Sequence, residues 1–326
     1  MKRPQALGLL AATMVTLLTT GCGLVSDGTG PAAERKTLKV GVMVGIDCSG
    51  VQLALQKRLF EEEGLVVEPE TVQSGAIAIP KLAAGALDFT FGNWVSFMKA
   101  QAAGAADLRF ISESYVAPPD SNFALITGPG STVTGVRDLA GKTIAVNAKG
   151  NINELLIRAV LEAGGIDFSS VKLVEMGFAD MAGALAAKTV DVAALLDPFV
   201  VDAQKTMGAK VVVDLTGAGP TADFPIAGFA TTATFAQENP ETVAAIQRVL
   251  LKGQQLSADR KNVEEALPKY AKMDPATAAS VKIGQYPTAI DPKRLQRVAD
   301  LLVSYGMLPA KLDVAPLVVP VPAPRD

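Results

Sequence analysis

The chain has 326 residues, 49% of them hydrophobic and 19% charged, a mean hydropathy of +0.30 and a formal net charge of −3. Its length predicts two domains, and its composition excludes a disordered chain, which would be poorer in apolar residues and richer in charge. The sequence has no histidine, which excludes Ser-His and Cys-His catalysis and the commonest zinc and haem ligand, and its pI near 5.3 argues against a nucleic-acid surface.

The N-terminal residues have the features of a secretory leader. Two basic residues precede an uncharged run over residues 6–20, and a helix of that length spans about 22 Å, less than the roughly 30 Å hydrocarbon core of a membrane. The small residues that follow end at Cys22 and resemble a bacterial lipobox, although Leu18 lies one place upstream of the usual leucine. The sequence therefore predicts a signal peptide over residues 1–21 and lipidation of Cys22.

Residues 22–36 contain Gly, Ser and Pro without apolar periodicity and predict a flexible, lipidated leash. Such an anchor would hold a folded domain on the outer face of the plasma membrane, so we expect an extracytoplasmic location. Cys48 then has no disulfide partner and is expected to behave as a small apolar side chain near a strand end, with a reactive thiol as the alternative.

The first part of the body alternates between strand and helix patterns. Apolar residues alternate along the strands and recur at helical spacing along the helices, and Gly64 ends the first helix. The predicted strands are 38–42, 65–68, 87–91 and 110–112, and the predicted helices are 51–63, 76–84 and a third that ends at residue 103. This order predicts a mainly parallel sheet flanked by helices.

The same α/β plan is repeated from about residue 120, after which the chain becomes mostly helical. The predicted strands of the second run are 123–126, 143–146, 171–175 and 192–196, and its helices are 152–163 and 180–188, with Asp180 as the cap of the second. After residue 228 the predicted helices are 239–255, 263–272, 275–283 and 292–305. We expect this return to cover the first unit and the Pro/Val-rich tail to form no regular element.

Several short strings follow one another at a characteristic spacing. They lie at residues 38–42, 60–65, 85–89, 138–146, 190–194, 196–199 and 235–240. In that order, and behind a lipoprotein leader, they resemble the periplasmic-binding-protein-like solute receptors of ABC importers. The branch they resemble includes binders of nitrate, sulfonates, taurine and thiamine pyrimidine precursors.

The resemblance implies an α/β fold of type II, with two lobes that close on a ligand in the cleft between them. Lobe 1 would comprise residues 37–119 and the return over 228–312, lobe 2 residues 120–227, and the tail residues 313–326. It also implies a membrane-anchored, monomeric component that delivers a small organic solute to an ABC permease with its ATPase. No cofactor, metal or catalytic residue is expected.

Ligands of open parallel sheets bind beyond the carboxyl ends of the strands, where loops lead into helices with unpaired N–H groups. The predicted ligand-binding residues are Asp47, Cys48, Ser74, Gly75, Asn93, Trp94, Tyr115, Asn147, Asn151, Ile152, Phe178, Asp180 and Asp197. The polar residues among them could instead cap their own helices, and the single tryptophan could pack in the core. Several Asp residues and no Arg in these loops favour a neutral or cationic, planar ligand, although backbone amides alone can also bind an anion.

Two alternatives to an importer receptor stay open. One is a receptor-like sensor or adhesion domain that takes no part in transport. The other is an enzyme, since pyrimidine synthases of the yeast type share this architecture, but in them a histidine supplies atoms of the product. Because this sequence has no histidine, we expect no enzyme activity.

Overall fold

The computed structural model describes residues 34–117, 119–120, 123–217 and 219–321, so Cys22 and the predicted signal peptide lie outside the described residues. Two five-stranded sheets form the framework. The strands are β1 (Thr37–Val42), β2 (Val66–Thr71), β3 (Phe89–Asn93), β4 (Leu108–Ala117), β5 (Phe123–Thr127), β6 (Thr143–Val146), β7 (Lys172–Glu175), β8 (Val192–Leu196), β9 (Lys210–Asp214) and β10 (Phe224–Thr232). The sheet of lobe 1 has the order β2-β1-β3-β10-β4, and that of lobe 2 has the order β7-β6-β8-β5-β9.

Both sheets are mixed: four of the five strands in each run in one direction, as predicted, but half of the strand pairings are antiparallel. In lobe 1, β1 pairs in parallel with β2 and β3, and in lobe 2, β6 pairs in parallel with β7 and β8. One strand in each sheet runs the other way: β10 lies antiparallel to β3 and β4, and β5 lies antiparallel to β8 and β9. These are the strands on which the chain enters each sheet from the other one, so two crossovers join the lobes.

Helices flank both sheets. They are α1 (Ser49–Gln56), α2 (Leu59–Glu62), α3 (Gly75–Ala83), α4 (Trp94–Ala102), α5 (Ile152–Ala163), α6 (Phe178–Ala186), α7 (Phe199–Met207), α8 (Ala233–Glu238), α9 (Pro240–Ser257), α10 (Arg260–Ala271), α11 (Pro275–Ala278) and α12 (Pro292–Ser304). A 3-10 turn, Ile46–Cys48, precedes α1. Among the described residues, no helix is both long and apolar enough to cross a membrane.

Several predicted element boundaries were wrong. The helix predicted over 51–63 is two helices, because Arg58 adopts a left-handed backbone conformation with φ 58° between them. Gly177, not Asp180, is the N-cap of α6, and Asp180 lies exposed in the first turn. The helix predicted over 275–283 ends at Ala278. The sequence analysis did not predict α7 and β9, whose apolar runs are short.

The return to lobe 1 begins earlier than expected, because β10 already belongs to the first sheet from Phe224. Helix α9 then packs against α1 and β4, as predicted for a covering segment. Part of the predicted tail also packs: Val318 forms a parallel bridge to Phe110 on the edge strand β4. Glu34, placed in the leash by the sequence analysis, accepts the N–H groups of the first turn of α9.

Aromatic side chains fill the core of lobe 1. Phe89 and Phe91 of β3 pack against Phe229 of β10, at centroid distances of 6.2 and 5.5 Å. Trp94 lies edge-on to Phe110 at 5.1 Å and is fully buried. A β-carbon on Gly228 would overlap its indole ring, so the glycine allows the ring to lie directly on the sheet.

Candidate functional site

The loops at the carboxyl ends of the parallel strands meet between the lobes. The loop after β1 contacts the loop after β8, where the Ile46 N–H donates to the Asp197 carbonyl oxygen at 3.0 Å. The loop after β2 contacts the loop after β6, where Asn147 Nδ2 donates to the Gln73 carbonyl oxygen at 3.4 Å. Because the parallel strands of both sheets end at this junction, it is the crevice in which α/β proteins of this kind bind ligands.

The lobe 1 side of the crevice is formed by two capped helix starts. Ser74 caps α3 by accepting the Ile77 N–H at 3.4 Å, and Asn93 caps α4 by accepting the Ser96 N–H at 2.9 Å. Gly75 brings the two starts together, since a β-carbon there would lie 3.3 Å from the β-carbon of Ser96. The capping alternative is therefore correct for both polar residues, and other first-turn amides remain uncapped by them.

The lobe 2 side is a cluster of three carboxamides. Asn147 Oδ1 accepts from Asn151 Nδ2 at 2.7 Å and from Asn153 Nδ2 at 2.6 Å. Asn151 Oδ1 caps α5 by accepting the Asn153 N–H at 2.9 Å. Asn153 Oδ1 is buried and accepts no hydrogen bond from the described residues. These bonds fix the orientation of the three amides. The Asn153 side-chain carbonyl oxygen remains able to accept a hydrogen bond from a polar ligand.

A second cluster lies around the turn after β1, where Asp47 is 8% exposed. Burial raises the pKa of Asp47 to about 7, and no neighbouring cation offsets it. Burial also raises the pKa of the Cys48 thiol, whose Sγ accepts the Met43 N–H at 3.5 Å. Tyr115 from β4 is 1% exposed, and its hydroxyl has no side-chain hydrogen-bond partner among the described residues; its one neighbour of this kind is the Gly284 backbone.

Two tyrosines of the helical return hold this turn in place. The Tyr286 hydroxyl donates to the Ile46 carbonyl oxygen at 3.0 Å, and the Tyr270 hydroxyl lies 2.9 Å from Ser49 Oγ. The Tyr286 ring also lies edge-on to Tyr115, with centroids 5.5 Å apart. The sequence analysis missed both tyrosines, because they are more than 200 positions from the turn and follow no strand.

Asp197 is fully buried but well supplied with donors. Its Oδ1 accepts the Val201 N–H of α7 at 3.2 Å, and its Oδ2 accepts the Lys282 N–H of the return segment at 2.8 Å. Because the Ile46 N–H binds its carbonyl oxygen, Asp197 joins lobe 2 to two segments of lobe 1. This position makes it a structural link beside the crevice.

The structure does not bring all the predicted residues together. Trp94 lies in the core of lobe 1, away from the loop contacts described above. Phe178 lies 5.4 Å from Phe199, centroid to centroid, and lines a cavity of about 200 Å³ between lobe 2 and the end of α10 in the return of lobe 1. Ile152 is buried in the first turn of α5. Of the described residues, no group of three or more Cys, Asp and Glu side chains could hold a metal ion.

Comparisons with known proteins agree with this architecture. The chain shares the fold of an alkanesulfonate-binding protein, SsuA, from Xanthomonas axonopodis pv. citri that was solved bound to MOPS: the TM-score is 0.75 at 25% identity, over 88% of this chain and 99% of that one. The periplasmic nitrate-binding protein NrtA from Synechocystis PCC 6803 is similar in fold, with a TM-score of 0.71 at 15% identity over 86% of this chain and 84% of that one. The fold is therefore that of the type II periplasmic binding proteins.

The sequence places the chain in a particular family within that class. The model of the NMT1/THI5-like family matches residues 46–261, and the chain belongs to this family. It is 25% identical over 314 residues to an Escherichia coli K12 protein named as an aliphatic sulfonates-binding protein, covering 94% of each chain. A Bacillus subtilis 168 protein of the same name is 26% identical over 269 residues, which cover 81% of this chain and 77% of the relative.

Proposed function

We propose that this protein is the substrate-binding component of an ABC importer, holding a small organic solute between its lobes. The observation that carries the proposal is the meeting of two sheets by the carboxyl ends of their parallel strands, with capped helix starts on both sides of the crevice. Relatives named as binding proteins of sulfonates and of an ABC transporter support it. A permease with its ATPase would receive the solute.

In this proposal the protein binds its ligand and makes or breaks no covalent bond. The ligand contacts first-turn amides and the carboxamides of the crevice, and the lobes close by bending at the two crossovers. Lipidation of Cys22 would keep the monomeric receptor at the outer face of the membrane, where the solute arrives. The names of the relatives make organosulfonates the first compounds to screen, followed by nitrate, pyrimidines, polyamines and aromatic acids.

A binding experiment with matched variants tests the location of the site. Once a thermal-shift screen has found a ligand, Asn93→Ala and Asn151→Ala should each weaken its binding by about 1–3 kcal/mol, as expected when a buried polar group loses its partner. Asn262→Ala is the control, since its amide only donates to the Leu256 carbonyl oxygen at the α9–α10 junction. Unchanged affinity in both site variants would contradict the proposed cleft.

A transport experiment tests the importer role. Cells that carry the permease and ATPase genes adjacent to this one should accumulate the radiolabelled ligand only when this chain is expressed. Cells with the Asn151→Ala variant should take up the ligand more slowly than wild-type cells at low ligand concentration and as fast as them at high concentration. Uptake that is independent of the chain would favour a sensor or adhesion role instead.

A further inference from the structure

The most unusual group of the described residues is the carboxylate of Asp47. The described residues contain three other buried carboxylates, and each accepts charged or N–H donors. Asp88 accepts from Arg35 and the Lys39 N–H, Glu113 from Arg294, and Asp197 from the Val201 and Lys282 N–H groups. The Asp47 side chain receives no hydrogen bond or ion pair from another of the described residues.

The surroundings of Asp47 hold it in a fixed place. Ser114 Oγ donates to its carbonyl oxygen at 3.0 Å, Tyr286 binds the preceding carbonyl, and Tyr270 binds the following serine. Its Oδ1 lies against the α-carbon of Gly45, where a β-carbon would overlap it. The turn is thus held by side chains from β4 and the helical return, so the backbone that carries the carboxylate is fixed in place.

Tyr115 provides an independent sign of a missing side-chain partner. Its hydroxyl is buried against Gly284, where a β-carbon would overlap it, and the backbone of that glycine is its one hydrogen-bonding neighbour among the described residues. Burial raises the pKa of the Tyr115 phenol, and Tyr286 and the nearby carboxylates of Asp47 and Asp197 raise it further. A buried acceptor and a buried hydroxyl at one junction are suited to a ligand that brings hydrogen-bond donors.

We propose that Asp47 and Tyr115 bind a cationic nitrogen group of the transported ligand, such as a primary ammonium or an amidinium. The proposal rests on the proposed receptor function and specifies the chemistry of its ligand. The positive group would pair with the Asp47 carboxylate, and the edge-on rings of Tyr115 and Tyr286 would supply aromatic surface against the attached carbons. The titratable groups that face the carboxylate are Cys48, Tyr115, Tyr270 and Tyr286. None of these carries a positive charge, so the ligand would supply it.

Three probes of similar size test this inference on the full chain: n-butylammonium, 1-butanol and n-butanesulfonate, at equal ionic strength and pH 8. We expect thermal melts to show stabilisation by the ammonium probe and none by the alcohol. Asp47→Asn should lower the affinity for butylammonium at least tenfold, and Asp300→Asn, which changes an exposed carboxylate on α12, should leave it unchanged.

A second variant separates ligand contact from a structural role. Tyr115→Phe removes a hydroxyl whose one hydrogen-bonding neighbour among the described residues is the Gly284 backbone, so it should lower the melting temperature of the free protein only slightly while lowering butylammonium affinity severalfold. The inference is overturned if butylammonium fails to stabilise the protein, if all three probes act equally, or if Asp47→Asn keeps full affinity. If the protein fails these tests but transports a sulfonate, the cation inference is wrong and the importer role stands. If it binds the cation but supports no transport, the importer role is wrong and the cation inference stands.

Discussion

Replacing Asp47 by asparagine should stabilise the free protein at neutral and alkaline pH. Burial raises the pKa of Asp47 from its ordinary value of 3.8 to about 7. Between pH 3.8 and about pH 7, the folded protein therefore keeps a proton on Asp47 that the unfolded chain has lost. Folding stability of the wild type therefore falls as the pH rises through this window and is constant above about pH 7. At about 1.4 kcal/mol for each pH unit, ionising the buried carboxylate costs about 4 kcal/mol at pH 8 and less than about 2 kcal/mol at pH 5.

Asparagine keeps the shape of the side chain and removes this titration. The free energy of unfolding of Asp47→Asn should thus gain about 3 kcal/mol over that of the wild type between pH 5 and pH 8. Urea unfolding of both proteins at the two pH values, without ligand, measures the difference. Asp300→Asn serves as the control, and its stability should follow the wild type at both pH values. Parallel pH profiles for Asp47→Asn and the wild type would show that Asp47 ionises as freely in the folded protein as in the unfolded chain.

Two further predictions concern stability alone. Gly228→Ala should lower the free energy of unfolding by about 3 kcal/mol or more, because the new methyl group would overlap the indole ring of Trp94. Gly183→Ala on α6 meets no atom within 4 Å and should raise it by about 0.5–1 kcal/mol. Calorimetric melts of the two variants measure the difference. Arg294→Leu would leave the fully buried Glu113 carboxylate with only the Asp291 N–H as a donor, at 3.4 Å, and should cost about 3–5 kcal/mol in urea unfolding. Arg58→Leu, in an exposed pair, should cost about 0.5 kcal/mol or less. Equal effects within either pair would contradict the packing described for it.

The sequence predicted the fold well because its signals are local. Short apolar runs predicted β6 and β8 with their observed bounds, and the helix predicted over 152–163 matches α5. The failures have tertiary causes. The left-handed conformation of Arg58 interrupts an apolar pattern that continues in the sequence, and β10 joins the first sheet by long-range pairing with β3 and β4.

The candidate site was predicted only in part. Cap residues such as Asn93 and Asn151 can be recognised from their position before a helix, and the structure shows both in that role. Asn153 could have been found from the Asn repeat at positions 147, 151 and 153. Tyr270 and Tyr286 could not, because nothing near them in the sequence indicates that the helical return brings them to the β1 loop. Whether the predicted residues contact a ligand stays a prediction.

The contacts between the lobes are unequal on the two sides of the crevice. Beside the crossovers, the buried Asp197 binds the N–H groups of Ile46 and Lys282 at 3.0 and 2.8 Å. On the other side, the Asn147–Gln73 contact is exposed and 3.4 Å long, so it is a weak hydrogen bond in competition with water. Opening of the lobes would lose this hydrogen bond at little cost, whereas the packing of α4 on α5 and the Asp197 link both resist it. A ligand that bridges both walls adds its binding free energy to the closed state, which is the property a receptor needs in order to signal that it is loaded.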